Sequence, residues 1–162
     1  GVSSAASDVY KRQVAVLIGR RITVRLGNVI IQTLAVEGKF PDYKSVIPGK
    51  PAQFTWEATA GETADLIRQA TAVHDETSRI ELSINGGKIT ATSRTNDGEG
   101  VSDLEVVISK KADAKIFLNW KYLLDAMKSL DSGHELVWHF HGDKFPVLVT
   151  APDYQYLLMP LS

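Results

Sequence analysis

Cysteine is absent from the 162 residues, which excludes disulfides and thiolate metal sites and agrees with a reducing compartment. No run approaches the ~20 apolar residues that a membrane span needs, and no basic-then-apolar leader opens the sequence. A cytoplasmic location is the default that follows. An excess of either charge is also missing: 18 basic residues face 19 acidic ones, for a net charge of -1. Such a balance disfavours a protein that grips nucleic acid by charge alone, and leaves loose or topological engagement of DNA open. Catalytic loops are lacking too. Gly86-Gly87-Lys88 superficially resembles a phosphate loop, but the full G-x-x-x-x-G-K-[ST] spacing is missing, and there is no G-x-S-x-G elbow. No cofactor is expected. What remains is 44% hydrophobic content, enough for one domain with a core and a fragment of a second.

The first 13 residues are small and polar without hydrophobic period, and read as a disordered or foreign tail. Residues 14–18, 22–26 and 29–36 are β-branched runs. The last two are joined by Gly27-Asn28, which predicts a type II′ hairpin. Three strands with no helix to cover them are rarely stable alone, so 14–36 reads as the last strands of a larger domain. Residues 37–51 form a linker whose three prolines and two glycines predict no regular structure.

A complete unit follows over 52–162. Residues 52–58 predict a strand, and Thr59 with Glu62 a capping box opening a helix to about residue 73, with Leu66, Ile67, Ala70 and Val73 as its apolar stripe. Strands are expected at 80–84, 88–93 and 101–108. The same order then recurs: a strand at 115–118, Asn119 as N-cap, a helix with Trp120, Leu123, Leu124, Met127 and Leu130 on one face, and strands at 135–141, 146–151 and 154–159. Pairing Thr63 with Trp120 and Ile80 with Leu136 suggests a repeat of about 57 residues. The expected class is α+β, a duplicated strand-helix-three-strand unit with both helices on one face of a sheet layer.

Three separated stretches carry a resemblance. Val36-Glu37-Gly38-Lys39-Phe40-Pro41-Asp42-Tyr43 with Val46-Ile47-Pro48 resembles the signature joining the second and third domains of the bacterial beta sliding clamp, the beta subunit of DNA polymerase III. Phe117 to Asp125 resembles that family's last helix, and Tyr156 to Leu161 its closing strand and tail. The resemblance implies the DNA clamp fold, with 52–162 as the third domain and 14–36 as the last strands of the second. It implies a non-catalytic processivity factor of DNA replication, acting as a ring of two subunits around double-stranded DNA. Its partners would be DNA polymerase, clamp loader and repair proteins, docked by short linear motifs. The family's first domain, which supplies half of the subunit contact, has no counterpart in the sequence.

Site residues follow from the same resemblance. Pro41, Ser45 and Val46 from the linker, with Met159, Pro160 and Leu161 from the tail, match the family's client-peptide pocket, and the loop with Phe145 and Pro146 adds a wall. Ser45 departs from the long basic residue that often stands there, and the family tail usually continues one or two residues beyond the position of Leu161 with a basic residue and a leucine, where this sequence has Ser162. Ala72 and Val73 match the subunit contact. Arg68, Lys121 and Lys128 lie on the polar helix faces that would meet DNA, although Asp125, four residues after Lys121, is placed to neutralise it. Without the resemblance, Pro41 and Pro160 would read as element breakers and Met159 as core. His139 and His141 share a strand face near His134 and Asp143, a metal-ligand grammar that also describes a polar strand face. That cluster supports a rival reading, a small metal-dependent hydrolase. A stand-alone peptide-binding adaptor is a third.

Overall fold

The computed structural model describes residues 13–18, 20–39, 42–72, 78–96 and 98–161. Two compact units are present, Gly1–Pro41 and Asp42–Ser162. In the first unit β1 (Gln13–Ile18), β2 (Arg21–Leu26) and β3 (Val29–Leu34) form an antiparallel meander. Gly27 at φ 60° lies in the left-handed region, and among the described residues none other than glycine does, as a type II′ rather than a type I′ turn requires. The third strand ends at Leu34 instead of residue 36: the Ala35 N–H turns back to the Arg20 carbonyl at 2.7 Å, leaving Val36 93% exposed. Every residue of β3 is exposed. Among the described residues, this sheet has no core of its own.

The second unit opens with one short 3-10 turn, Tyr43–Val46, within the linker that its prolines and glycines marked as irregular. The Ser45 N–H and hydroxyl both bond the Asp42 carbonyl, at 3.2 and 2.7 Å, which is enough to close a single turn. Next come β4 (Phe54–Thr59), α1 (Ala60–Ala70), β5 (Arg79–Asn85), β6 (Lys88–Arg94), β7 (Glu99–Glu105) and β8 (Val107–Ile108). The second repeat supplies β9 (Asp113–Asn119), α2 (Trp120–Lys128), β10 (Glu135–Phe140), β11 (Val147–Ala151) and β12 (Tyr154–Leu158).

Each repeat lends its first strand to the other. The sheets run β12-β11-β10-β4-β8 and β7-β6-β5-β9, antiparallel throughout, so the expected layer is two sheets held together by an exchange of strands. The two helices pack on each other, and α1 packs also on β6 and β7. The repeat distance is not constant. The N-caps Thr59 and Asn119 are 60 positions apart (119 − 59), whereas Ile80 and Leu136, paired with Leu118 and Ala58, are 56 apart (136 − 80). Trp120 therefore matches Ala60, not Thr63, and the difference is absorbed between helix and second strand.

Local chemistry sets both helix starts. The Thr59 hydroxyl accepts from the Glu62 N–H at 3.1 Å while the Glu62 carboxylate accepts from the Thr59 N–H at 2.8 Å, closing the anticipated capping box. The Asn119 side chain accepts from the N–H groups of Lys121 and Tyr122. Helix α1 stops at Ala70, before residue 73: the Ala72 N–H turns to the Gln69 carbonyl at 3.3 Å, an i−3 bond that tightens the last turn, and the Thr71 hydroxyl bonds the Ile67 carbonyl at 2.7 Å. Residues 101–108, expected as one strand, break at Val106. Its N–H bonds the Gly87 carbonyl at 2.8 Å, and Val107 and Ile108 cross to the edge of β4. The core between the sheets includes cross-strand aromatic pairs, Trp56 with Trp138 at 5.4 Å and Phe54 with Phe140 at 4.9 Å.

Candidate functional site

The tail is placed by the same strand exchange that built the sheets. β12 ends at buried Leu158, and Pro160, with no N–H to donate, cannot extend its ladder. The chain then crosses to the other sheet, where the Leu161 N–H bonds the Phe117 carbonyl on the outer edge of β9 at 2.8 Å. This mirrors the crossing of β8 onto β4. Met159 (54% exposed) and Leu161 (37%) are thereby held as an open apolar wall.

Against this wall lies a concavity of about 490 Å³, bordered by Met159, Pro160, Leu161, Phe117 and the loop residues Asp143 and Lys144. Such a volume falls in the range of sites that take small ligands or a few side chains. Ser45, Val46, Phe145 and Pro146 border a second concavity of about 530 Å³, together with His141 and Gln53. The expected pocket residues are thus gathered on two neighbouring hollows, with the 143–146 loop contributing to both. The loop is shaped by Gly142 at φ 131°, whose carbonyl accepts from the Phe145 N–H, and by Gln53, which donates to the His141 carbonyl at 3.2 Å. Phe145 remains 57% exposed. Pro41 lies outside the described residues.

Sequence reasoning missed the charge around the tail hollow. Alternation on β9 and β5 sends Lys115, Phe117 and Arg79 to the outer face, and Arg79 places its guanidinium 3.9 Å from the centre of the Phe117 ring. Period-two patterning allowed that placement to be read, but not the pairing of strands 79–85 and 113–119 that makes these residues neighbours. Beneath them Glu81, its side chain only 9% exposed, accepts from Lys115 at 2.9 Å and meets Arg94 at 3.4 Å. Burial raises the Glu81 pKa, but hydrogen bonds from Lys115 and Ser83 and the charges of Lys115 and Arg94 outweigh it and hold the carboxyl below its ordinary value.

The other expected sites are distributed as follows. Arg68 on α1 pairs with Asp65 at 2.9 Å. Lys121 is 5.5 Å from the Trp120 ring and makes no ion pair with Asp125, and Lys128 is exposed in the last turn of α2. The exposed faces of the two helices carry three cations, Arg68, Lys121 and Lys128, against three anions, Glu62, Asp65 and Asp125. Ala72 is exposed just beyond α1, whereas Val73 lies outside the described residues.

The histidine cluster does not converge. His139 shares a 2.9 Å hydrogen bond with Thr150, while burial and then the neighbouring His141 lower its pKa. His141 borders one hollow and Asp143 the other. Among the described residues no three His, Cys, Asp or Glu side chains are grouped to hold a metal. No described helix is long and apolar enough to cross a membrane.

No family model matches the sequence. The chain is 27% identical over 146 residues to the beta sliding clamp of Caulobacter vibrioides, covering 88% of this chain and 39% of that protein. It is 28% identical over 114 residues to the beta sliding clamp of Escherichia coli K12, covering 67% and 30% respectively. A crystal structure of the Caulobacter crescentus beta sliding clamp superposes with a TM-score of 0.77 at 25% identity, over 93% of this chain and 41% of that one. The beta subunit of DNA polymerase III from Thermotoga maritima superposes with a TM-score of 0.75 at 22% identity, over 93% and 41%. The chain therefore spans well under half the length of these relatives.

Proposed function

We infer, for a chain homologous to the beta sliding clamp over about 40% of a full clamp chain, a role as the client-docking portion of a DNA replication processivity factor. The beta clamp family is non-catalytic, and the reading is likewise of a binding protein. The observation that carries it is the tail: Met159 and Leu161 are held open on the edge of β9 by a backbone hydrogen bond, beside a hollow of about 490 Å³. A flexible methionine beside rigid proline suits a surface that accepts several related peptides. Clients would be DNA polymerase, clamp loader and repair proteins, bound through linear motifs with large apolar anchors. Ser45, Val46, Phe145 and Pro146 would take a second anchor in the adjoining hollow.

In a full ring, Arg68, Lys121 and Lys128 would face double-stranded DNA without reading its sequence. Ala72 and Val73 would meet the second subunit. A cytoplasmic site of action fits these partners. The histidines give the hydrolase reading no support, since among the described residues no three His, Cys, Asp or Glu side chains are grouped to hold a metal.

Fluorescence polarisation with a labelled peptide carrying Leu and Phe anchors tests the docking role. Each anchor seated fully contributes about 1.5–3 kcal/mol, and ~1.4 kcal/mol is a factor of ten. Met159→Ala and Leu161→Ala are each expected to weaken binding about three- to tenfold, since each forms only part of the wall around an anchor. Binding unchanged in both variants would place the site elsewhere and remove the assignment.

A further inference from the structure

Cationic side chains rim the apolar tail hollow: Arg79, Lys115 and Lys144 stand around Phe117, Met159 and Leu161, with Asp143 as the one acid bordering it. Their states differ. Lys115 is engaged by the nearly buried Glu81 at 2.9 Å. Arg79 and Lys144 make no ion pair among the described residues, and Arg79 is stacked on Phe117 with its guanidinium 3.9 Å from the ring centre. Stacking on the face of a ring leaves the edge of the guanidinium, with its fork of N–H donors, free to take a carboxylate. It also restrains a side chain that would otherwise lose rotamer freedom on binding, so less is lost when the contact forms.

We propose that this hollow selects acidic apolar peptides: a large apolar side chain rests on Phe117, Met159 and Leu161, and an adjacent Asp or Glu carboxylate is held by Arg79 with Lys144. The proposal rests on the docking role above and adds to it a charge preference set by two residues outside the tail. Complementarity supplies the argument. With Lys115 already paired to Glu81, two cations without an ion pair among the described residues, Arg79 and Lys144, and one acid, Asp143, border an apolar floor, so an acidic neighbour is favoured and a basic one repelled. On this rim Glu81 answers Lys115 alone, and its remaining contacts go to Ser83 and Arg94, which leaves Arg79 and Lys144 for an incoming carboxylate.

The test uses the full 162-residue chain and two labelled peptides, identical in their Leu and Phe anchors and differing only in Glu or Gln at the neighbouring position. The Glu peptide is expected to bind about three- to tenfold more tightly at low salt, a preference that salt weakens. In the double variant Arg79→Met, Lys144→Gln, with melting temperature checked against the parent, the ratio should fall toward one. A preference that survives in the variant overturns the assignment. So do two peptides that bind the parent equally; if both are still weakened by Met159→Ala and Leu161→Ala, the docking role stands without its charge preference. Absence of binding, or binding indifferent to Met159 and Leu161, overturns both.

Discussion

Gly100, buried on β7, meets the last turn of α1 with no room for a side chain. A Cβ built there would fall on the Ala70 carbonyl oxygen, well inside contact distance, with the carbonyl carbon at 3.0 Å where ordinary contact begins at 3.4 Å. Both obstacles are backbone, so no side-chain rotation relieves Gly100→Ala. The end of α1 and the edge of the sheet must separate by more than the few tenths of an ångström a packed neighbour can give. Separation also strains the 2.8 Å hydrogen bond from the Ser102 hydroxyl to Gln69, which ties the same turn to the same strand. Overpacking costs about 1–3 kcal/mol and a lost hydrogen bond about 1, for a total of roughly 2–4 kcal/mol. For a unit of this size that corresponds to a fall in melting temperature of roughly 10 °C. Circular dichroism melts of Gly100→Ala beside Gly133→Ala, whose Cβ would meet nothing within 4 Å, provide the comparison. If Gly100→Ala melts with the parent, the close approach of β7 to α1 is wrong, and so is the position derived for Ala72 beyond that helix.

Acid should destabilise the second unit. Backbone and side-chain hydrogen bonds from Thr59 lower the Glu62 pKa, and Glu81 is lowered despite its burial. Folded pKa values below the ordinary 4.5 mean that both groups stabilise the fold above that pH and lose the contribution as pH falls through their folded values. Glu81→Gln should therefore flatten the fall in denaturation midpoint below about pH 4.5, and an unchanged slope would rule Glu81 out as a source. Asn119→Ala, which leaves the Lys121 and Tyr122 N–H groups without their cap, is expected to cost about 1 kcal/mol in urea titrations, whereas Asn119→Ser should recover most of it. Duplex DNA should bind weakly, with a log–log salt slope of magnitude no greater than about 3, one for each helix cation. Removing Arg68, Lys121 and Lys128 together should abolish the slope; a steep slope that persists would put the contact on another face.

Much of the architecture was legible from local signals. Thr59 with Glu62, Asn119 before Trp120, and Gly27-Asn28 each act within four residues, so their hydrogen bonds and turn geometry follow from chain chemistry without reference to the rest of the molecule. The apolar stripes of both helices and the alternation of the strands likewise announce which side each element buries. Element ends were less readable. Residues 101–108 read as one strand, yet it breaks at Val106, whose N–H bonds the Gly87 carbonyl while Val107 and Ile108 pair with β4 in the other sheet.

The tail and its surroundings divide along the same line. Pro160 as a strand breaker and Met159 and Leu161 as apolar residues beside it are properties of the sequence, and so is the recurrence of one supersecondary unit. Which strands the two repeats exchange is not, since period-two patterning assigns faces but is silent on neighbours. Only the pairing of β5 with β9 brings Arg79 over Phe117, and only the crossing of the tail to β9 sets Leu161 beside them. The described pocket residues divide between two hollows, and among the described residues no three His, Cys, Asp or Glu side chains are grouped to hold a metal. These outcomes depend on contacts between residues tens of positions apart, whose free energy resides in the buried interface between sheets and helices and not in any local segment.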